Sequence, residues 1–372
     1  MIRSIDPKIL ADLRAFAHRL IDPEAARVAI APERPERGYW FGGGNLARGP
    51  DGRLFLTGRY RSAGDSRTGL DLGDRGRELA VFASGDGGRS WDKVLSFDKA
   101  AVSPDGREAL SIEGSALRFS PGRVDLYVSS EKRLPYPAPV EAFQKPGTGI
   151  WTIERITAPT LEGLSDARPR TVLVGGDPAT LQVKDPFLSE RPGGGHYLFF
   201  CHHSFNWSSS NTGYLPVGAD GQDEGPPIYG CWPRGPAWDV AITRGTCVLP
   251  LPEPPPGAST PPTAWPAGLG LAFYDGGECL RNLDEHAAAV RRPRGYSCEE
   301  LGGLGYYTDG DPRSFVRISD IFPEFLSPDG TGCLRYVDVL AVGDAYIAAW
   351  QQSRPDGSQA LMINRVERRG TP

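Results

Sequence analysis

Apolar and polar positions along the chain follow two periods. Near the start, Leu10, Leu13, Ala17 and Leu20 recur at helical spacing. Asp6 can cap that segment, Pro7 fits a first helical turn and Pro23 stops it, so a helix is expected over residues 6–20. It reads as packed over the side or base of the main domain, with a dimerisation arm as the other reading. From residue 27 onward the pattern is that of strands. Residues 27–32 form a short one. Residues 42–47, 53–61, 77–84 and 91–95 form four more, with a turn at Pro50-Asp51-Gly52 between the first two. The unit then recurs loosely. A second runs through 110–119, 124–129 and 149–154, and a third through 181–188 and 196–201. A fourth opens at 268–276 after a Pro-rich loop at 249–262, and a fifth runs through 334–340, 345–350 and 360–366. Residues 205–235 and 277–312 carry little strand pattern and read as long loops on the rim of a site, with 283–291 a helical turn in one of them.

Five openings spaced by roughly 60–80 residues suit an all-β fold, a five-bladed β-propeller with a short N-terminal helix. The strand at 27–32 can complete the last blade by pairing with the C-terminal strand, which closes such a ring. A six-bladed, sialidase-like ring is the alternative and needs one more opening than the pattern supplies. The expected organisation is a helical extension at 1–26 and a single propeller domain at 27–372. With 372 residues, 47 glycines and 35 prolines against 2 methionines, composition also favours many short strands joined by turns.

The stretch Ser84-Gly85-Asp86-Gly87-Gly88-Arg89-Ser90-Trp91 reads S-x-D-x-G-x-x-W. Gly87 and Gly88 can take positive φ in a tight turn, Asp86 can accept backbone N–H bonds, and Trp91 can cover the turn. It resembles the Asp box, which joins the two outer strands of a sialidase-type blade. The resemblance implies architecture and not chemistry, because the families that carry the box hold it on the rim. A plain Gly-rich hairpin is the other reading.

A net charge of −5 leaves no basic footprint for nucleic acid. No apolar run approaches the about 20 residues of a membrane span. Residues 1–7 lack the apolar core of a signal peptide, so a cytoplasmic location is expected, with a leader removed beforehand as the other reading. The six cysteines form no C-x-x-C pair, and free, mostly buried thiols in a reducing compartment are expected.

In a propeller the innermost strand of each blade lines the axis, and side chains near its start converge on one mouth. The five openings bring Asn45, Glu113, Asp185, Tyr274 with Asp275, and Asp338 to that level. A carboxylate inside an apolar strand is costly to bury without a partner or a task. Each alone also reads as a tie to the neighbouring blade; three on different blades point to a shared site. This plan, with Lys184-Asp185-Pro186 in the third blade, resembles the glycosidases of family 43 and their relatives in families 32, 68, 117 and 130, from about residue 40 to the end. The resemblance implies a glycoside hydrolase acting on an oligosaccharide or glycoside without an organic cofactor, and it matches Asp185 to the central Asp of the third blade's first strand. Those families place an Asp base or nucleophile on the first blade, where this chain has Asn45. Glycoside hydrolysis needs two carboxyl groups flanking the scissile bond. The expected assignment is Glu113 as general acid, Asp338 as base or nucleophile, and Asp185 as the group that tunes the acid or orients the sugar.

Around these, His202 and His203 suit a metal or a sugar hydroxyl, and strand alternation sends them to opposite faces, so at most one faces the site. Loop histidines with backbone partners are the other reading. Trp207, Tyr214, Trp232 and Trp265 are candidate sugar platforms, with packing against the loop prolines as the other reading, and Asn45, Tyr274 and Asp275 are candidate sugar contacts. Arg59, Arg61, Arg118 and Arg335 lie near strand openings, where guanidinium groups can clamp a carboxylate. A sialidase-like enzyme with an arginine clamp and a tyrosine nucleophile, Tyr336 or Tyr274, is therefore a second expectation. A non-catalytic carbohydrate-binding propeller is a third. No catalytic metal is expected; a structural divalent cation at the axis is left open. The expected partners are a carbohydrate and, through the N-terminal helix, a second copy of the chain.

Overall fold

The computed structural model describes residues 5–62, 74–103, 106–204, 209–278 and 299–368. Helix α1 (Pro7–Leu20) begins at the Asp6 cap, whose carboxylate accepts from Lys8 N at 2.8 Å. Its apolar stripe, Ile9, Leu13, Phe16, Ala17 and Leu20, is buried in the same core as Leu249, Leu271, Tyr346 and Trp350. Asp12 on its flank accepts from Ser259 N and Thr260 N, both at 2.9 Å. The stripe is thus covered by its own chain.

Strand β1 (Arg27–Ile30) pairs antiparallel with β21 (Gln359–Glu367), so the N-terminal strand completes the last blade. Blade I has a divided inner strand, β2 (Trp40–Gly42) and β3 (Leu46–Arg48), followed by β4 (Leu54–Ser62), β5 (Asp74–Ser84) and β6 (Asp92–Asp98). Blade II is β7 (Ala109–Ser120), β8 (Arg123–Lys132), β9 (Ile150–Ala158) and β10 (Arg170–Val174). Blade III is β11 (Gln182–Glu190), β12 (His196–His203), β13 (Asn211–Val217) and β14 (Ile228–Trp232). Blade IV is β15 (Ile242–Pro250), β16 (Gly270–Gly277), β17 (Leu301–Tyr307) and β18 (Val316–Arg317). Blade V is β19 (Leu334–Val342), β20 (Ala345–Ser353), β21 and β1, and β2 also touches β21, joining the first and last blades in one sheet. Five antiparallel blades follow in chain order around an axis lined by their inner strands.

Three sequence expectations change. Blade IV opens at β15, before the Pro-rich loop, so residues 268–276 hold its second strand. Residues 205–235 contain β13 and β14, and 277–312 contain β17. In each case short strands rich in Gly, Thr and Tyr were hidden by the lack of an apolar run. The helical turn expected at 283–291 lies outside the described residues.

The turn after β5 is closed by its own polar groups. Asp86 accepts from Arg89 N and Ser90 N at 2.8 and 2.9 Å and from Ser90 Oγ at 2.7 Å, while Gly87 and Gly88 take φ of 76° and 89°. These bonds hold the Asp86 carboxyl well below its ordinary range. Among the described cysteines, Cys201, Cys231, Cys247 and Cys333 are free thiols. Among the described residues, no helix is long and apolar enough to cross a membrane.

Candidate active site

Each inner strand breaks register with its neighbour at one level. The irregularities fall between Ile112 and Ser115, Lys184 and Phe187, Gly245 and Cys247, and Arg335 and Asp338. In blade I the same level is the gap between β2 and β3, with Gly43 at φ 74°. An inserted residue turns a side chain out of the ladder and toward the axis. The residues so presented are Glu113 on blade II, Asp185 on blade III and Tyr336 on blade V. Asp185 and Tyr336 hold left-handed backbone, φ 51° and 53°, which is costly for residues with a Cβ and is met mainly where function fixes it.

Neighbouring blades hold these strained amides. Ser129 Oγ accepts from Asp185 N at 3.1 Å, and the buried Asp275 carboxylate accepts from Tyr336 N at 2.9 Å. Thr212 Oγ1 on blade III does the same for Gly245 N of blade IV at 2.7 Å. Gly114 has no side chain because Asp185 occupies the space: a Cβ there would stand 2.7 Å from Asp185 Cα.

The charges form one network. Arg59 Nε donates to Glu113 Oε2 at 2.9 Å, and its Nη2 donates to the same oxygen. Arg244 meets Asp185 at 3.2 Å, Asp275 at 2.8 Å and Glu300 at 3.6 Å, and Arg335 pairs with the other oxygen of Glu300. The Trp40 ring carries three guanidinium groups, those of Arg335, Arg61 and Arg59, at 4.4, 4.9 and 5.5 Å. Tyr336 Oη donates to Asp185 Oδ1 at 3.4 Å, with Arg244, Arg335 and Arg59 at 4.4, 5.1 and 5.8 Å from its ring. Burial alone would push the Glu113 carboxyl up, but Arg59 and then Lys184 bring it down to about 2, so it is ionised at neutral pH. Burial drives the Tyr336 phenol upward, opposed by Arg244.

Glu113, Asp185 and Arg59 of the sequence-expected site residues meet at this mouth. Several others do not. Asp338 sits two residues past Tyr336 and accepts from Leu46 N at 2.6 Å, tying blade V to blade I. Asn45 takes Leu117 N at 2.8 Å and donates to Leu117 O at 3.0 Å, tying blade I to blade II. Asp338 and Asn45 thus each tie two blades together through these bonds. Tyr274 is buried beside Trp238 and Phe315 with its hydroxyl on Ser319 O, and Asp275 is the cap of Tyr336; both stand on β16 and not on an inner strand. Arg335 and Arg61 are buried against Trp40, and Arg335 also pairs with Glu300. His202 accepts from Gly230 N at 2.8 Å and packs on Tyr229, and burial brings it down to about 4, which keeps it neutral. His203 stands in register with Gln182 at the mouth end of β12. Trp207 lies outside the described residues. Among the described residues no three His, Cys, Asp or Glu side chains gather as a metal site.

Arg244, Glu300 and Trp40 were not expected. Arg244 escaped because the opening of blade IV was set one strand too late; Ile242-Thr243-Arg244-Gly245-Thr246 matches the other openings once aligned on the register break. No local signal marks Glu300.

No family model matches the chain, and no curated protein does. Solved structures match its fold over nearly its whole length. A structure described as "Glycoside hydrolase" has a TM-score of 0.63 at 9% identity, covering 99% of this chain and 98% of that one. A thermostable family-43 glycoside hydrolase has a TM-score of 0.56 at 13% identity, covering 92% and 98%. An alpha-L-arabinofuranosidase from Lactobacillus brevis has a TM-score of 0.54 at 11% identity, covering 96% and 98%. The five-bladed propeller is therefore a fold this chain shares with them.

Proposed function

We propose that this chain is a glycoside hydrolase working at the axial mouth of the propeller. The observation that carries the reading is the presentation of Glu113, Asp185 and Tyr336 from three blades at one level, two of them in strained backbone. The shared fold with family-43 and other glycoside hydrolases supports it. Glu113, ionised by its Arg59 partner, acts as base or nucleophile at the anomeric carbon, which reverses the acid role expected for it. Asp185 is the second carboxyl, oriented by Tyr336 Oη and Arg244; it has to take a proton from solvent before it passes one to the leaving oxygen. His203 and Lys184 border the mouth and are assigned to sugar contacts. The turn at Ser84–Trp91 is read as an Asp box, an architectural element of blade I.

A second reading makes Tyr336 the nucleophile, with Asp185 taking its proton. It is favoured by the three guanidinium groups around the phenol, each of which stabilises a phenolate. The test is a hydrolysis screen with aryl furanosides, pyranosides and sialosides, comparing the intact chain with Glu113→Gln, Asp185→Asn and Tyr336→Phe. Turnover lost in the two carboxyl variants supports the first reading. Trapping of a glycosyl-tyrosine supports the second. Sugar binding without turnover of any glycoside sinks both and leaves a binding propeller.

A further inference from the structure

The mouth is cationic in an acidic protein. Its four carboxylates, Glu113, Asp185, Asp275 and Glu300, are met by Arg59, Arg244 and Arg335, and Arg61 lies on the Trp40 ring. Lys184 is a fifth cation, on the strand that presents Asp185. The Lys184 ammonium lies 4.6 Å over the Trp151 ring, is partly exposed and, among the described residues, has no carboxylate within ion-pair distance. It acts on Glu113 through space, lowering that carboxyl. A second unmet donor belongs to Arg59, which like Lys184 acts on Glu113. Arg59 uses Nε and Nη2 on Glu113, while its buried Nη1 has no hydrogen-bond partner. A buried N–H left unpaired costs about 1–3 kcal/mol, more when charged, so its persistence calls for an acceptor that arrives from outside. The backbone leaves room next to it. Gly43 carries no Cβ, and an atom at that position would lie 3.5 Å from Arg59 Nη1 and 3.7 Å from Tyr336 Cζ, at ordinary contact distance from both. Chain net charge is −5, so this positive mouth is local and repeats no general trend.

We infer that the mouth takes a sugar bearing a carboxylate, with Lys184 and Arg59 Nη1 as the groups that recognise the anion. A neutral hexoside offers no charge to Lys184 or to the open Nη1 of Arg59; a carboxylate offers an acceptor to each. The carboxylate can stand on the sugar's C5, as in a hexuronide, or on the anomeric carbon, as in a sialoside. The chemistry at the two cations is the same.

The inference rests on the hydrolase reading only for its turnover arm. Matched aryl hexuronides and hexosides, which differ in a carboxylate against a hydroxymethyl, are compared with an aryl sialoside on the full chain. One charge-assisted bond lost or gained should appear as a roughly 10- to 100-fold preference in kcat/KM for the carboxylated member. That preference should shrink with added salt and fall toward one in Lys184→Met. Because it is a ratio of two substrates on one preparation, partial misfolding of the variant does not move it. A sialoside preferred over every hexuronide supports the anion and puts it on the anomeric carbon. Hexosides cleaved as well as their hexuronide partners, with the sialoside no better, overturn the inference and leave the hydrolase reading intact. If no glycoside is cleaved, calorimetry with free hexuronate, sialic acid and hexose decides. Binding of an acid sugar alone supports the inference while the hydrolase reading falls, and no binding of either acid overturns it.

Discussion

Tyr336 Oη meets Asp185 Oδ1 at 3.4 Å, joining blade V to blade III, and both residues hold left-handed backbone. Two strained positions of this kind cost on the order of 1–3 kcal/mol each and need surroundings that fix them. Asp275 and Ser129 supply those on the amide side, so the phenol and the carboxylate are held at one place from behind. Tyr336→Phe keeps the ring among its three arginines and removes only the hydroxyl. Stability should change by about 1 kcal/mol or less, since one long hydrogen bond is lost. If Tyr336 orients Asp185, kcat should fall roughly 10- to 100-fold with KM little altered. A fall of more than about 10⁴-fold would instead fit a nucleophile. Steady-state kinetics and a thermal melt of the same preparation separate the cases.

Arg59 sets the charge of Glu113. The folded carboxyl stands at about 2 against an ordinary 4.5, so its ion pair contributes stability fully present above about 4.5 and lost as pH falls through about 2. The ionised form is therefore in hand across the neutral range. In Arg59→Met, burial remains while its main opponent is gone, so the carboxyl should rise above its ordinary value. The acid limb of the kcat/KM–pH profile should then move upward by two units or more, on the order of the shift that one close opposite charge gives. An unmoved acid limb would remove Glu113 from the base or nucleophile role.

The ring itself was legible because inner strands such as 110–119 and 334–340 are long, apolar and bounded by Gly and Pro turns, and because residues 27–32 had no other edge to pair with than the C-terminal strand. Glu113 and Asp185 were legible as carboxylates out of place in apolar strands. The same signal picks out Asp338, yet a carboxylate that caps a neighbouring blade's amide is as out of place in sequence as one that meets substrate. Only the register break, with Tyr336 before it and Asp338 after it, tells the two apart. That break is a property of strand pairing, which one strand's pattern does not contain. Arg244 and Glu300 became visible only when β15 was placed on the axis and β17 beside β16.

Asp338 offers a direct check on that distinction. Burial pushes its carboxyl up to about 6, and the bond from Leu46 N only partly offsets this. A carboxyl raised on folding favours the native state most below its ordinary 3.8, and that advantage is lost as pH rises through about 6. Asp338→Asn keeps an acceptor for Leu46 N and removes the titration. The stability–pH curve between about 4 and 6 should flatten by up to about 2 kcal/mol, less than two full units would give because the side chain is partly exposed. Turnover at neutral pH should persist. Loss of turnover in a folded Asp338→Asn protein would return the residue to the catalytic set.

The close packing of Gly114 on Asp185 gives the last prediction. A Cβ on Gly114 would stand 2.7 Å from Asp185 Cα and 2.8 Å from Asp185 Oδ1, distances that side-chain rotation alone does not relieve because one partner is backbone. Gly114→Ala must therefore move Asp185, and with it the bond to Tyr336. Overpacking of this kind costs about 1–3 kcal/mol of stability. The displacement should cost more in rate, roughly 100-fold in kcat, because about 1 Å of misplacement at a reacting group is enough for that. Gly85→Ala is the comparison: a Cβ there meets nothing within 4 Å, and the residue lies on the rim. It should leave both melt and kinetics unchanged. A Gly114→Ala enzyme that loses stability but keeps its kcat would show that Asp185 tolerates displacement, and would take it out of the group that touches substrate.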